Sequence, residues 1–194
     1  MSAPLPLIIV SGPSGSGKST VIDRVLAQGD LPLHLSVSAT TRSARAGERD
    51  GVHYHFWQEA QFEAQIQAGA FLEWAQVHGF YYGTLRREVE PYRRQGRLVI
   101  LDIDVQGADQ VRRNTGGVVS VFLRSPSLST YEERLRKRGT EDEAAIARRL
   151  AAARRELERA GEYDYQIVND DLERAVREFH DILERYLERD THAG

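Results

Sequence analysis

Gly12, Gly17, Lys18 and Ser19 stand in the pattern G-x-x-x-x-G-K-S, within "IIVSGPSGSGKST". Glycines let a loop curl until its amides point inward around an anion. A helix starting there adds its partial positive charge. Lys18 can neutralise terminal phosphates, and the Ser19 hydroxyl is the hard oxygen ligand that Mg2+ prefers. The pattern points to a bound nucleoside triphosphate with its magnesium, against the plain alternative of a chance glycine turn. The context favours the former. An apolar run, Leu7 to Val10, leads into the loop. Residues from about Lys18 to Ala27 form an expected helix, with Val21, Ile22, Val25 and Leu26 on one face.

Two further groups of residues invite chemistry. "RLVILDID" ends in Asp102 and Asp104. Ligands of parallel sheets lie at the C-terminal edge of the strands. There Asp102 can hold a water on Mg2+ and Asp104 can reach a substrate. Either can instead cap the following turn. "SATTRSARAGERDGVHYHF", residues 38 to 56, carries Arg42, Arg45 and Arg49 with several hydroxyls and no helical period. Loops this long in compact domains are usually functional or disordered. Such a loop either grips an anion or is merely a solvated run of charge.

These residues need elements to hold them, and the apolar pattern supplies strands and helices in alternation. Expected strands are Leu7 to Val10, the alternating Leu33, Leu35 and Val37, "RLVILDID", Val118 to Leu123, and "YQIVN". Expected helices include Gln58 to Gln67 with Gly69 past its end, Leu128 to Lys137, and Asp170 to Glu188. Thr140 to Glu143, "TEDE", has the form of a capping box opening a helix to about Ala160. "FLEWAQVHGFYYGT" alternates around a glycine turn, as antiparallel strands do. Pro91, inside "LRREVEPYRRQ", should end or kink a helix. Strand–helix alternation means an α/β fold whose parallel sheet is covered on both faces. Residues 38–84 and 125–162 depart from that rhythm and look like insertions.

The chain has 194 residues, 41% hydrophobic and 28% charged, which suits one soluble globular domain with a real core. A net charge of −3 argues against nucleic acid as a partner and makes any anion site local. The absence of cysteine excludes disulfides, thiol catalysis and cysteine-bound metal. The N-terminal apolar run is too short to span a membrane and lacks the marks of a signal peptide. A cytoplasmic protein without a membrane partner is expected, either a monomer or a homodimer.

"SGPSGSGKST", "SATTRSARAGE", "FLEWAQVHGFYYGT", "LDIDVQGA", "RGTEDE" and "IVNDD" occur in this order, and with them the chain resembles the guanylate kinases from about Leu7 to about Tyr186. The resemblance implies a P-loop NTPase-type parallel sheet with helices on both faces, plus a small mixed insertion and a helical lid. It divides one domain, 1–194, into a core (1–37, 85–124 and 163–194), a GMP-binding subdomain (38–84) and a lid (125–162). It implies transfer of the γ-phosphoryl group of Mg-ATP to GMP, and to dGMP, with no tightly bound organic cofactor. Residues Gly12, Pro13, Ser14, Gly15, Ser16, Gly17, Lys18, Ser19 and Thr20 would hold ATP, with Asn169 near its adenine. Ser19 would hold the metal directly and Asp102 through water. Arg42 and Arg45, with the hydroxyls of Tyr54 and Tyr82, would take the GMP phosphate. Glu73 and Asp104 would accept from guanine, with hydroxyls at Ser38 and Thr84. Lys18, Arg45, Arg138 and Arg149 would be the catalytic cations, although Arg148 leaves a one-residue slip open.

The residues by themselves allow plainer accounts of some of these positions. Glu73 by alternation falls on a solvated face opposite Leu72 and Trp74. Arg134, Arg154 and Arg155 have the look of solvated helix residues, and Arg49 has no role. Two other functions fit the fold: an inactive guanylate-kinase-like module that binds proteins, and a kinase of another phosphorylated acceptor such as a ribose bisphosphate. Both fit less well with Lys18, Ser19, Arg42, Arg45 and Glu73 all in place.

Overall fold

The computed structural model describes residues 5–77, 79–138 and 143–191, without the side chains of 138 and 189–191. Thr140 of the expected capping box therefore lies outside the described residues.

β1 (Leu7–Ser11) is the middle of a five-stranded sheet and is wholly buried. It is followed by α1 (Lys18–Gln28), β2 (Leu33–Leu35), β3 (Ala39–Thr40) and β4 (His55–Phe56). Next come α2 (Glu59–Gln67), β5 (Phe71–Val77), β6 (Phe80–Leu85), α3 (Glu90–Arg94), β7 (Leu98–Asp102) and α4 (Val105–Asn114). The chain finishes with β8 (Val118–Arg124), α5 (Leu128–Arg138), α6 (Glu143–Glu158), β9 (Tyr165–Val168) and α7 (Leu172–Thr191).

The main sheet has the order β2-β7-β1-β8-β9, with every pair parallel. A strand's side chains alternate between faces, so β1 serves two cores at once. Ile8 and Val10 join Val21, Ile22 and Val25 of α1 and Val176, Phe179 and Leu183 of α7. Leu7 and Ile9 join Ala108 and Val111 of α4 on the other side. With both faces covered, the strand has to be apolar throughout, which explains the unbroken run in the sequence.

The second sheet, β4-β3-β6-β5, is mixed. Phe62 of α2 packs into it against Phe71 and Tyr81, with ring centroids 4.4 and 5.2 Å apart. Gly83 is required here, because a Cβ would come within 2.8 Å of the Phe71 ring. The pairing of β5 with β6 shifts register between Phe71 and Glu73. Such irregularities re-aim side chains. Leu72 thereby turns into the main core, and Glu73 lies only 4% exposed while Trp74 remains open at 37%. The alternation argument for an exposed Glu73 fails at this shift. Pro91 falls in the first turn of α3, where its missing N–H costs nothing.

Candidate active site

The phosphate loop links β1 to α1. No side chain caps the first turn of α1, and Gly17 stands at the cap position with φ 93°. The free amides at that end remain available to an anion. Gly12 has φ 143°, and a Cβ there would lie 2.0 Å from the backbone oxygen of Leu123. Only glycine fits the space and the backbone angle.

What holds the loop is largely Arg134. Its guanidinium donates to Gly15 O at 3.2 Å, Ser16 O at 3.3 Å, Ser125 Oγ at 3.0 Å and Asn169 O at 3.0 Å. Asn169 adds a bond from Nδ2 to Ser16 O, 2.8 Å long. With the carbonyls tied down on the outside, the loop amides are turned inward. Arg134 is therefore not the solvated residue that helix periodicity suggests. Its fixed fork of donors is suited to several carbonyls at once.

Gly12 to Thr20 line a cavity of about 330 Å³ together with Ser38, Arg42, Arg45, Tyr54, Glu73, Tyr82, Asp102, Asp104 and Arg149. Nearly every expected site residue, drawn from five stretches of sequence, thus surrounds one space. Lys18 donates from Nζ to Gly12 O at 2.7 Å, with Asp102 Oδ1 3.9 Å away. Ser19 and Asp102 line the same wall of the cavity, and Ser19 acts to lower the Asp102 pKa. Burial pushes the Asp102 carboxyl above its ordinary range, and Lys18 opposes that shift. A half-buried carboxylate near a hydroxyl is an all-oxygen donor set, which fits Mg2+. Arg149 reaches the loop mouth, donating to Ser14 Oγ at 2.8 Å.

Across the cavity, Arg42 is held by both oxygens of Glu48, at 2.9 Å each. It also lies over the rings of Tyr54 and Phe56, 5.5 and 5.6 Å from their centroids. Glu48 raises the Arg42 pKa and accepts from the Arg45 amide at 2.6 Å. Sequence reasoning missed Glu48; an acid in a polar loop gives no sign that it will fold back on an arginine. The Arg45 side chain is exposed on the cavity wall. Burial raises the Tyr54 pKa far beyond its usual value, so its hydroxyl remains a donor.

At the far end, Glu73 accepts from Thr84 Oγ1 at 2.6 Å. Its other oxygen lies so close over Gly107 that a Cβ there would sit 2.5 Å away. Burial pushes the Glu73 carboxyl up to about 7; the Thr84 bond opposes this and nearby Asp104 adds to it. Thr84 does not line the cavity, so it acts through Glu73. Asp104 does line it and also caps α4, its Oδ1 accepting from Gly107 N at 2.8 Å. The two accounts of Asp104 are thus compatible. Asn169 lies outside this cavity and lines a neighbouring one of about 430 Å³ with Gly15, Gly17, Thr20 and Arg134. The Arg138 side chain lies outside the described residues.

The family model for guanylate kinase matches residues 5–186. The chain belongs to the guanylate kinase family. It is a phosphotransferase enzyme of P-loop NTPase fold, as that membership and the parallel sheet together establish. It is 45% identical over 193 residues to the guanylate kinase of Xanthomonas axonopodis pv. citri, covering 97% of this chain and 95% of that protein. To the guanylate kinase of Carboxydothermus hydrogenoformans it is 48% identical over 177 residues, 91% of this chain and 86% of the relative. Among solved structures, guanylate kinase from Anaplasma phagocytophilum superposes with a TM-score of 0.77 at 32% identity, covering 95% of this chain and 87% of that one. No described helix is long and apolar enough to cross a membrane.

Proposed function

We propose that this cavity performs phosphoryl transfer from ATP to GMP, giving ADP and GDP, with the roles divided by position. The observation that carries the reading is the single space shared by the phosphate loop, the Arg42–Arg45 loop and buried Glu73. Each fits one part of the reaction. The loop amides and Lys18 cradle the donor phosphates. Arg42, Arg45, Tyr54 and Tyr82 take the acceptor phosphate. Arginine forks suit its oxygens, and the tyrosines donate without adding charge. Guanine presents N1–H and an amino group side by side, and an ionised Glu73 offers acceptors for both. Adenine presents an acceptor at N1, so the same carboxylate mismatches it. Unpaired buried groups of this kind discriminate by about 10⁴ or more.

Ser19 and, through water, Asp102 would hold the Mg2+ of Mg-ATP, which neutralises charge on the phosphates. The acceptor phosphate is already a nucleophile at neutral pH, so no strong base is required. An acceptor oxygen attacks the γ-phosphorus in line, and the bond to the β-phosphate oxygen breaks. Arg45 and Arg149 hold positive charge around that centre, where the transition state needs little else from a protein. In this reading 38–84 is the acceptor subdomain and 125–162 a lid that excludes competing water. Asn169 stands at the adenine side, in the neighbouring cavity. The setting is the cytoplasm and GMP recycling.

ADP release, measured with GMP, AMP, UMP and a sugar phosphate as acceptors, tests this. Turnover with GMP far above the rest is expected. Retained ATP binding without turnover would instead make the chain a binding module, and preference for another acceptor would displace guanine from the Glu73 pocket.

A further inference from the structure

Glu156 lines the cavity, yet the roles above leave it without a task. It stands on α6 two helical turns beyond Arg149, so both side chains leave the helix on the same side. Arg149 meets the phosphate loop at Ser14. Glu156 lines the same cavity as Lys18 and Asp104. It is half-buried; burial drives its carboxyl up, Lys18 opposes the rise, and Asp104 reinforces it. An ionised carboxylate only accepts hydrogen bonds, so a phosphate cannot be its partner. A buried one is costly until a donor reaches it.

Glu156 shares one cavity wall with Lys18 and the phosphate loop and with Asp104 and Glu73, and the charges of both Lys18 and Asp104 act on it. A nucleotide reaching from Glu73 to the phosphate loop has its sugar between base and phosphate, and its only donors there are ribose hydroxyls. We propose that Glu156 accepts a hydrogen bond from a ribose hydroxyl of the acceptor nucleotide, so that α6 reads the sugar as well as contacting the phosphates. This rests on the acceptor reading given above. It makes Glu156 a specificity residue for the ribonucleotide against its deoxy forms, and it couples a correct sugar to the placement of Arg149.

The test uses the full chain as wild type, Glu156→Ala and Glu156→Gln, with GMP, 2′-deoxy-GMP and 3′-deoxy-GMP as acceptors. Steady-state kinetics, calorimetric binding and thermal melts are measured. The wild type is expected to favour GMP over at least one deoxy form. Glu156→Ala should raise the KM for GMP roughly 10- to 100-fold, the usual weight of a hydrogen bond to a charged group. The disfavoured deoxy form should hardly change, so its ratio to GMP falls to about one. KM for ATP and the Mg2+ dependence should remain as in the wild type. Glu156→Gln retains an acceptor oxygen and the side-chain shape, so it should restore most of the discrimination; it also serves as the comparison if the alanine variant melts early. Equal losses for all three acceptors would overturn the assignment. So would a wild type indifferent to both hydroxyls, or a variant whose defect lies in ATP or Mg2+. A wild type inactive with GMP, while turning over another acceptor, would refute the acceptor reading itself.

Discussion

Replacing Glu73 with glutamine should strengthen the empty protein while weakening its grip on GMP. The carboxyl is 4% exposed, and burial is the main reason its pKa rises from 4.5 to about 7. The folded state thus holds the proton more tightly than the unfolded chain. The sign follows: this contribution is favourable below about pH 4.5 and is lost as pH rises through 7, where the folded protein carries a penalty of roughly 3 kcal/mol. Glutamine never carries that charge and still gives Thr84 an oxygen to donate to. At about pH 8 the variant should therefore melt several degrees above the wild type, and near pH 4.5 the two should converge. Binding goes the other way. A glutamine amide group meets the guanine donors with donors of its own, so KM for GMP should rise about 100-fold, with KM for ATP unchanged. In the wild type, kcat/KM for GMP should fall about tenfold per pH unit below 7, with a second step near 6 from the substrate's own phosphate. The variant should lose only the upper step. Thermal melts across the pH range and steady-state kinetics with each substrate varied would check this. A Glu73→Gln protein that melts with or below the wild type at about pH 8, or that loses ATP and GMP equally, would refute the reasoning.

Other substitutions separate the remaining parts of the site. Arg45→Ala should lower turnover by roughly 10²–10³-fold. Its melting curve should not move, because the side chain is exposed; near-normal kinetics would remove it from the site. Arg134→Ala should uncouple the carbonyls of Gly15 and Ser16, costing about 1–3 kcal/mol and raising KM for ATP at least about tenfold while that for GMP holds. Arg134→Lys should rescue little, since a lysine lacks the planar fork; full rescue in nucleotide titrations would mean that charge alone suffices. Gly12→Ala places a Cβ against Leu123 O at 2.0 Å, so ATP affinity should collapse with a stability loss of several kcal/mol by urea titration. Normal binding would show that the loop has another stable path.

Sequence patterns captured whatever depends on near neighbours. The run Leu7–Val10 followed by Gly12, Gly17, Lys18 and Ser19 requires a strand, a curled loop and a helix in succession, and the structure has that order. Apolar periodicity also marks 38–84, loop-rich and antiparallel, and 125–162, helical and charged, as departures from the α/β rhythm. What it could not supply were the contacts closed by tertiary structure. Arg134 sits in a stretch rich in arginine and glutamate, and nothing local distinguishes it from Arg136, which pairs with Glu132 on the surface. Only the packing of α5 beside the loop selects it. Glu48 is silent for the same reason. Glu73 was misread from alternation because a register shift in β5 moves it by a face. The shift is fixed by competition between two cores for Phe71 and Leu72, which a period-two pattern does not record. Val37 alternates with Leu35, yet β2 stops at Leu35, where the chain leaves the main sheet for the second one.

The charges of the cavity explain why a protein of net charge −3 can bind substrates that are themselves strongly anionic. The two signs have different tasks. In the proposed reading Lys18, Arg42, Arg45 and Arg149 serve the phosphates, whereas Glu73, Asp104 and Glu156 bring carboxylates to the wall of the same cavity. The cations are held in unequal ways. Glu48 and two aromatic faces fix Arg42 before any substrate arrives, which removes the entropy cost of ordering it but offsets part of its charge. Arg45 is exposed and lacks such a clamp, so its charge is the more available one. The carboxylates carry the opposite tension. Burial pushes Glu73, Asp102 and Glu156 toward their protonated forms, and each becomes comfortable as an anion only when a donor or a cation meets it. Guanine, Mg2+ and, on the inference above, a ribose hydroxyl would do so in turn. A substrate lacking one of these groups leaves a buried carboxylate unpaired, and specificity follows from that penalty more than from any added attraction.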